Sequence, residues 1–594
     1  MSNQATAPPS GSSQSSAEGR LDSWKEIAAY LRREVRTVQR WEKSANLPVH
    51  RLQIEKQSAI YAYKSELDAW YTSRRPDLES DVAICEDKGT PTWFERLRRP
   101  RIVGALAALI VFLSCGTYFV RKSAWFRAHS VPAKIKLAVL PFKNLSADPE
   151  QEYFSDGMTE EMITELGRMQ PERLGVIART SAMLYKNTQK DLSQICRELG
   201  VQYILEGSVF RAGNRARITA QLIQCTDQTH IWADSSERDL VNIVSLQGDV
   251  AQAIAKNIKL VLTPEQRTRL RARRPVNPEA YQAYLKGMYF LDKFTPDAIR
   301  TAMNFFQATI KRDDNYAQPY AALAECYVTS ALLGESPPDE AYSKAKAAAK
   351  SAAALDDSLA ETHQALAVIA TWYDWNWATA EREYRRAIEL DPNYAKAHMG
   401  YMYLLIALRR TQEASTELRT AQALDPISEL TRIGLVENSY LSRRYDDAIA
   451  EAKQWQDIYP EEMSLYSYLA DAYMEKGMDS LAVEEYLKAE KLVGATQTRI
   501  GALRNAYSSS GLTGFWRKRI ALDSIPSEQG YVRAYDVAYD YAALGDRDHC
   551  LEWLNRALLQ RDGVLIELSI QPRFDNLRSD PRFQDLLRRL NLPQ

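Results

Sequence analysis

Pro392, Pro426 and Pro460 stand 34 residues apart, and a fixed period of that size constrains the fold more than any single motif in the chain. A unit of this length holds two short helices and their turns but cannot bury its own apolar face, so successive units must stack. Small residues recur in the same register where paired helices approach closely: Ala380 and Ala387, Ala414 and Ala421, Ala448, Ala482 and Ala489, with Tyr384, Leu418 and Tyr486 between them. Leu469, Ala470 and Tyr473 open one repeat as Leu323, Ala324 and Tyr327 open an earlier one. The register predicts an all-α solenoid over 277–492, from Asn277 to Leu492, with an irregularity from Trp372 to Trp377. A weaker helical pair from Tyr531 to Leu559 follows, and Pro572 to Leu590 reads as a polar-faced cap, so 530–594 forms a further helical region.

The solenoid accounts for less than half of the 594 residues, and single cores rarely grow past about 250 to 300 residues, so further domains are expected. Ile102 to Val120 is a run of nineteen residues without a charge. As a helix it would be about 28 Å long, close to the roughly 30 Å of a bilayer core, and it is expected to be a transmembrane helix. A removable signal would not follow a hundred-residue folded segment, and basic clusters bound both ends. Five Lys/Arg lie within fifteen residues on its N-terminal side and four on its C-terminal side, so charge barely orients it. Gly104 and Ala108 make a small-xxx-small pair through which two spans, and hence a homodimer, would approach.

Residues 1–19 are rich in Ser, Gly, Pro and Gln and are expected to be a disordered tail. Order is predicted to begin at Leu21, where Asp22 or Ser23 caps a helix and Glu26 lies at capping-box distance from Ser23. Trp24, Ile27, Ala28 and Leu31 share one face of that helix. After a break at Arg32, Arg33 and Glu34, a second helix from about Val35 to Lys43 turns Val38 and Trp41 inward and Arg36, Thr37, Gln39, Arg40 and Lys43 outward. Such a pair matches a helix-turn-helix whose second helix enters the major groove, and Arg and Gln read guanine and adenine edges. An alternating stretch from Val49 to Ile54, a polar turn through Lys56 and a second run at Ala59 to Tyr63 predict a hairpin, followed by a helix from Lys64 to Tyr71. Between Arg20 and Arg75 there are 12 Lys/Arg against 7 Asp/Glu, whereas the whole chain has a net charge of −1. The basic excess is local, as groove binding requires.

The segments SWKEIAAYL, RTVQRWEK, LPVHRL and AYKSELDAW resemble the winged helix-turn-helix of the MerR/excisionase type. That resemblance implies a DNA-binding domain over 20–75, with double-stranded DNA contacted by Arg36, Thr37, Gln39, Arg40 and Lys43 of the recognition helix and by His50, Arg51 and Lys56 of the wing. A linker over 76–101, acidic and then basic, leads to the span at 102–120.

From Ile135 apolar strands alternate with amphipathic helices. Strands are expected at Ile135 to Pro141, Leu174 to Ala178, Tyr203 to Phe210, Arg217 to Ile223 and Thr229 to Ser235; helices are expected at Tyr153 to Met169, Leu192 to Leu199 and Leu240 to Val261. The turn at Ala212, Gly213 and Asn214 makes a hairpin. This predicts a mixed-sheet α/β domain over 132–262, with Asp156 and Gly157 at a helix start as a cap or anion site. The segments AVLPFKNLS, EYFSDGMTEEMITEL, VIARTSAMLYK, ICRELGVQYILEGSVFRAGNRARITAQLI and HIWADSSERDL resemble the TolB-like module that bacterial signalling proteins place before tetratricopeptide arrays. The 34-residue repeats resemble those arrays, which implies an unknown protein or peptide partner on a concave surface.

Catalysis has no constellation to stand on: there is no Walker loop, GxSxG or HExxH, and the six histidines are scattered. No cofactor or metal is expected. The six cysteines show no zinc spacing; Cys196 and Cys225 are the one close pair within a module, and free buried thiols are the expected state. The expected architecture is thus multidomain α plus α/β: winged helix-turn-helix, one transmembrane helix, TolB-like domain and tetratricopeptide solenoid. Its expected role is that of a non-enzymatic one-component transcriptional regulator in the inner membrane, N-terminus cytoplasmic and C-terminal region periplasmic, coupling sensing or protein interaction to DNA binding. The competing expectation is a membrane-tethered scaffold whose N-terminal domain binds protein.

Overall fold

A computed structural model describes residues 19–54, 57–79, 134–146, 148–264, 266, 277–332, 336–525 and 532–594. The chain divides into two compact units, Met1–His129 and Ser130–Gln594.

In the first unit the order is β1 (Arg20–Leu21), α1 (Trp24–Tyr30), α2 (Val35–Ala45), β2 (His50–Ile54), β3 (Gln57–Tyr63) and α3 (Lys64–Glu79). The strands form an antiparallel sheet in the order β1-β3-β2. Ile27 and Ala28 of α1, Val38 and Trp41 of α2, Leu47, Ala62 and Leu67 close one small core.

The second unit opens with β4 (Ile135–Val139), β5 (Lys143–Asn144), α4 (Glu152–Gly167), β6 (Leu174–Val176), α5 (Arg179–Met183), α6 (Leu192–Leu199), β7 (Tyr203–Ala212), β8 (Arg215–Gln224), β9 (Thr229–Asp239) and α7 (Ile243–Asn257). The sheet runs β6-β4-β7-β8-β9, with β5 beside β7. Pairs β4–β6 and β4–β7 are parallel, and β7–β8 and β8–β9 are antiparallel. Strands buried on both faces need helices on both sides: Leu137, Val139 and Leu205 meet Met158 and Leu166 of α4 and Ile254 of α7, while Ala138 and Ile204 meet Ile195 and Leu199 of α6. At Gly207 a Cβ would sit 2.4 Å from the Thr219 carbonyl oxygen across the β7–β8 pair.

Two local expectations change here. Cys196 of α6 and Cys225, just past β8, are joined by a disulfide rather than free, because the parallel β4–β7 pairing brings the end of the hairpin beside α6. Asp156 lies a full turn inside α4 rather than at its start; it is 3% exposed and accepts from Lys186 Nζ at 2.6 Å, so it holds a lysine inside the fold.

Helix pairs follow: Pro278–Leu291 with Pro296–Arg312, Ala317–Leu332 with Pro338–Leu355, and Ala360–Trp372 with Trp377–Leu390. The pairs opened by Ala395–Ala407, Glu429–Leu441 and Met463–Glu475 start 34 residues apart, and the helix Gln497–Asp523 keeps the same step. That last helix breaks at Ser510 and Gly511, whose backbones are not helical. Gly287 and Gly400 let helices touch: a Cβ would lie 2.4 Å from the Phe306 ring and 2.4 Å from the Tyr384 ring, respectively. Both rings are fully buried.

Two stretches of the chain lie against the repeats. The first is the sheet domain, whose α4 packs on Pro278–Leu291 through Leu285 at Gly157 and through the Tyr281 hydroxyl at Met158, while Gln247 of α7 donates to that hydroxyl. The second is the C-terminal segment. Instead of ending the array as a cap, it returns along earlier repeats: Arg409 donates to the Ser569 carbonyl at 2.6 Å, Arg443 to that of Ile570 at 2.8 Å, Arg573 to Asp471 at 2.6 Å, and Trp377 Nε1 to the Asn591 carbonyl at 2.7 Å. Leu565, Leu568, Phe574, Leu577 and Phe583 are buried there.

The expected span Ile102 to Val120 lies outside the described residues. Among the described residues no helix is long and apolar enough to cross a membrane. The longest, Gln497–Asp523, is kinked and carries Arg499, Arg504, Arg517, Lys518 and Arg519. Among the described residues this runs against the expected architecture with one transmembrane helix and against the expected single-pass inner-membrane location with a periplasmic C-terminal region. The described chain is mostly helical, dominated by the solenoid.

Two outcomes test this packing. Gly400→Ala gains about 1 kcal/mol of helix propensity but drives a methyl into Tyr384, an overpacking cost of about 1 to 3 kcal/mol; the urea midpoint should fall, and a rise would contradict the close approach. Reduction of the disulfide, which closes a loop of 29 residues, should cost about 2 to 4 kcal/mol. Cys225→Ser should unfold at the reduced protein's midpoint and ignore dithiothreitol.

Candidate nucleic-acid interface

Local chemistry explains why α2 presents the face it does. Ser23 caps α1, accepting from the Glu26 amide, while Glu26 accepts from the Asp22 amide at 2.9 Å. This reciprocal pair fixes where the helix begins. After Leu31, Arg32 takes a left-handed backbone (φ 49°), turning the chain so that α2 starts three residues later. Asn46 adopts the same conformation (φ 51°) at the other end, and the amides of Asn46 and Leu47 both close on the Trp41 carbonyl. Val38 and Trp41 are buried, with the Trp41 ring 5.7 Å from that of Trp70 on α3.

With that side fixed, Arg36, Arg40 and Lys43 follow at helical spacing and are exposed, and Thr37 and Gln39 are half-buried beside them. Arg32 and Arg33, also exposed, extend the basic surface from the turn. They read as a break in sequence; three arginines within five positions of a helix start was the signal for them.

The hairpin residues are placed differently. Arg51 Nη2 pairs with Glu42 of α2 at 2.7 Å, and His50 Nε2 pairs with Glu66 of α3 at 2.7 Å while its ring stacks on Tyr61. Both side chains therefore brace the hairpin against the helices. Arg20 adds to the brace, its guanidinium 4.1 Å from the Tyr61 ring centre. Lys56 lies outside the described residues. The structure thus gathers Arg36, Thr37, Gln39, Arg40 and Lys43 on one helix and sets His50 and Arg51 in ion pairs beside it. On the far side, Tyr30 donates to Asp68 at 2.8 Å, and that carboxylate holds the phenol above its usual pKa. Among the described residues no group of His, Cys, Asp or Glu is arranged to hold a metal ion.

Residues 133–253 match the family model of the HilA/YgeH-like transcriptional regulator, second domain; this is the sheet domain. The chain is 36% identical over 244 residues to "Putative adenylate cyclase 3" of Rhizobium meliloti (strain 1021), covering 41% of each chain. It is 23% identical over 322 residues to transcriptional regulator HilA of Salmonella typhimurium, covering 54% of this chain and 56% of that one. The chain thus spans about half the length of the curated relatives it matches. A tetratricopeptide repeat protein from Parabacteroides merdae aligns over 53% of this chain and all of its own, at 14% identity and a TM-score of 0.29. The sheet domain is therefore similar to the second domain of HilA-like transcriptional regulators, and it precedes helix pairs that repeat every 34 residues.

Proposed function

We propose that this chain is a DNA-binding transcriptional regulator whose N-terminal unit is a winged helix-turn-helix. Helix α2 reads the major groove, with Arg36, Thr37, Gln39, Arg40 and Lys43 at the DNA. The hairpin is the wing, where Arg51 and His50 set its angle through Glu42 and Glu66. The observation that carries this reading is the basic stripe on α2, held outward by the burial of Val38 and Trp41, in a chain whose next domain is similar to that of a transcriptional regulator. A local excess of positive charge on a nearly neutral protein supplies the phosphate attraction that groove binding needs.

The sheet domain and the repeats are proposed to act without catalysis, as the part that receives a signal or a protein partner. The likeness to a protein described as a cyclase covers 41% of that protein and is not taken to bring its activity.

Fluorescence anisotropy with duplexes selected by the full chain tests the assignment. Arg36→Ala and Arg40→Ala should each weaken binding by about 1 to 3 kcal/mol, roughly fivefold to 150-fold, and flatten the salt dependence. Glu42→Gln, which releases Arg51 from its brace, should shift affinity by less than either. Unaltered affinity and salt slope in both arginine variants would remove α2 from the interface.

A further inference from the structure

Strand β9 leaves one edge of the large sheet open. It is the last strand in the order β6-β4-β7-β8-β9; it runs eleven residues from Thr229 to Asp239, and none of them is buried. Its neighbour β8, by contrast, buries Ala216, Ile218, Ala220, Leu222 and Ile223. Among the described residues the outer side of β9 pairs with no other strand.

Natural sheets blunt such an edge with short strands, proline, lysine or bulges. β9 is about twice the usual five or six residues and holds neither proline nor lysine. Its one irregularity against β8 falls at Ile231, so Trp232 to Asp239 run in unbroken register.

The charges on this edge sort into two sets. Arg215 of β8 holds Glu237 at 3.1 Å and approaches Asp239 at 3.9 Å, so both acids are answered within the sheet. Asp234 meets no cation among the described residues and accepts from Ser236 Oγ at 2.8 Å. Arg238 reaches Asp249 of α7 only at 4.0 Å. Asp234 and Arg238 lie on the same face of the strand, two positions to either side of Ser236.

We propose that β9 pairs antiparallel with β9 of a second copy of this chain, about a twofold axis at Ser236. In that register Asp234 stands opposite Arg238 twice, Ser235 opposite Glu237, and Ala233 opposite Asp239. Opposite charges directly across an antiparallel pair are favourable and like charges unfavourable. A slip of one residue in either direction sets Asp234 against Glu237 or Asp239, so the charges select this register over its neighbours. The contact is isologous, as a closed dimer requires. It stands whether or not α2 reads DNA; if α2 does, two N-terminal units per dimer suit an operator of two half-sites.

Sedimentation of the full chain over a range of concentrations tests it, and a reversible monomer–dimer equilibrium is expected. Asp234→Arg and Arg238→Asp each set like charges across the axis twice and should weaken the dimer about tenfold or more, with circular dichroism unchanged. Mixed in equal amounts, these two variants restore both opposite-charge pairs and should associate with one another at close to the wild-type strength. Ser236→Cys sets two thiols across the axis, where opposed Cα atoms lie about 4.5 to 5.5 Å apart, within disulfide range. Mild oxidation should link two copies of that variant above the wild-type background, and should not do so for Thr229→Cys. A wild-type chain that stays monomeric, a dimer indifferent to both charge reversals, variants that fail to associate on mixing, or Ser236→Cys that links no better than Thr229→Cys would each overturn the proposal.

Discussion

The larger unit depends on one contact, the seam between the sheet domain and the repeats, which runs from Tyr281 to Asp425. Three polar anchors hold it. Arg168 at the end of α4 reaches Glu361, Asn393 caps carbonyls of both α4 and β6, and Asp425 accepts from Thr180 at 2.5 Å and from the Ser181 amide at 3.0 Å. Each is largely withdrawn from water, so each must find its partner or bear an uncompensated desolvation cost. Hydrocarbon around Tyr281, Leu285 and Phe306 joins the same core as Met158 and Leu166 and would tolerate sliding; the polar anchors do not. They fix the register in which a sheet domain meets a solenoid.

Features governed by neighbours along the chain were legible beforehand. The 34-residue step showed because each repeat repeats the same close approaches, so Ala380, Ala414, Ala448 and Ala482 recur at that spacing, as do Gly400 and Gly434. Ser23 and Glu26 announced α1 because a capping box is local chemistry. The stripe from Arg36 to Lys43 followed from Val38 and Trp41, since burying two positions of a helix decides what the others face. What stayed hidden was set by distant partners. Arg51 and His50 looked like contacts to DNA because nothing nearby in sequence showed Glu42 and Glu66 waiting across the fold. Cys196 and Cys225 met only once β7 took its place beside β4. The apolar run at Ile102 carried weight by composition alone, and the described helices supply no counterpart to it.

The two units solve different problems with the same materials. The small one has a core of few residues and leans on two tryptophans, Trp41 and Trp70, to hold its helices while its arginines remain at the surface. In the large one arginines are drawn inward: Arg432, packed 3.5 Å over the Tyr459 ring and paired with Glu462 at 2.6 Å, and Arg573 on Asp471 are nearly sealed from water. Guanidinium suits such places because its planar donors bond in the plane while its faces stack.

The return of the C-terminal segment sets the order in which the protein becomes complete. Trp377 and the Asn591 carbonyl lie 214 positions apart, so a repeat that leaves the ribosome early keeps an unfinished face until Asn591 emerges. Elongation at about 5 to 20 residues per second leaves that face uncovered for roughly 10 to 40 seconds. Covering of that face therefore waits for the segment around Asn591, and a chain interrupted before it exposes the surface that this segment covers.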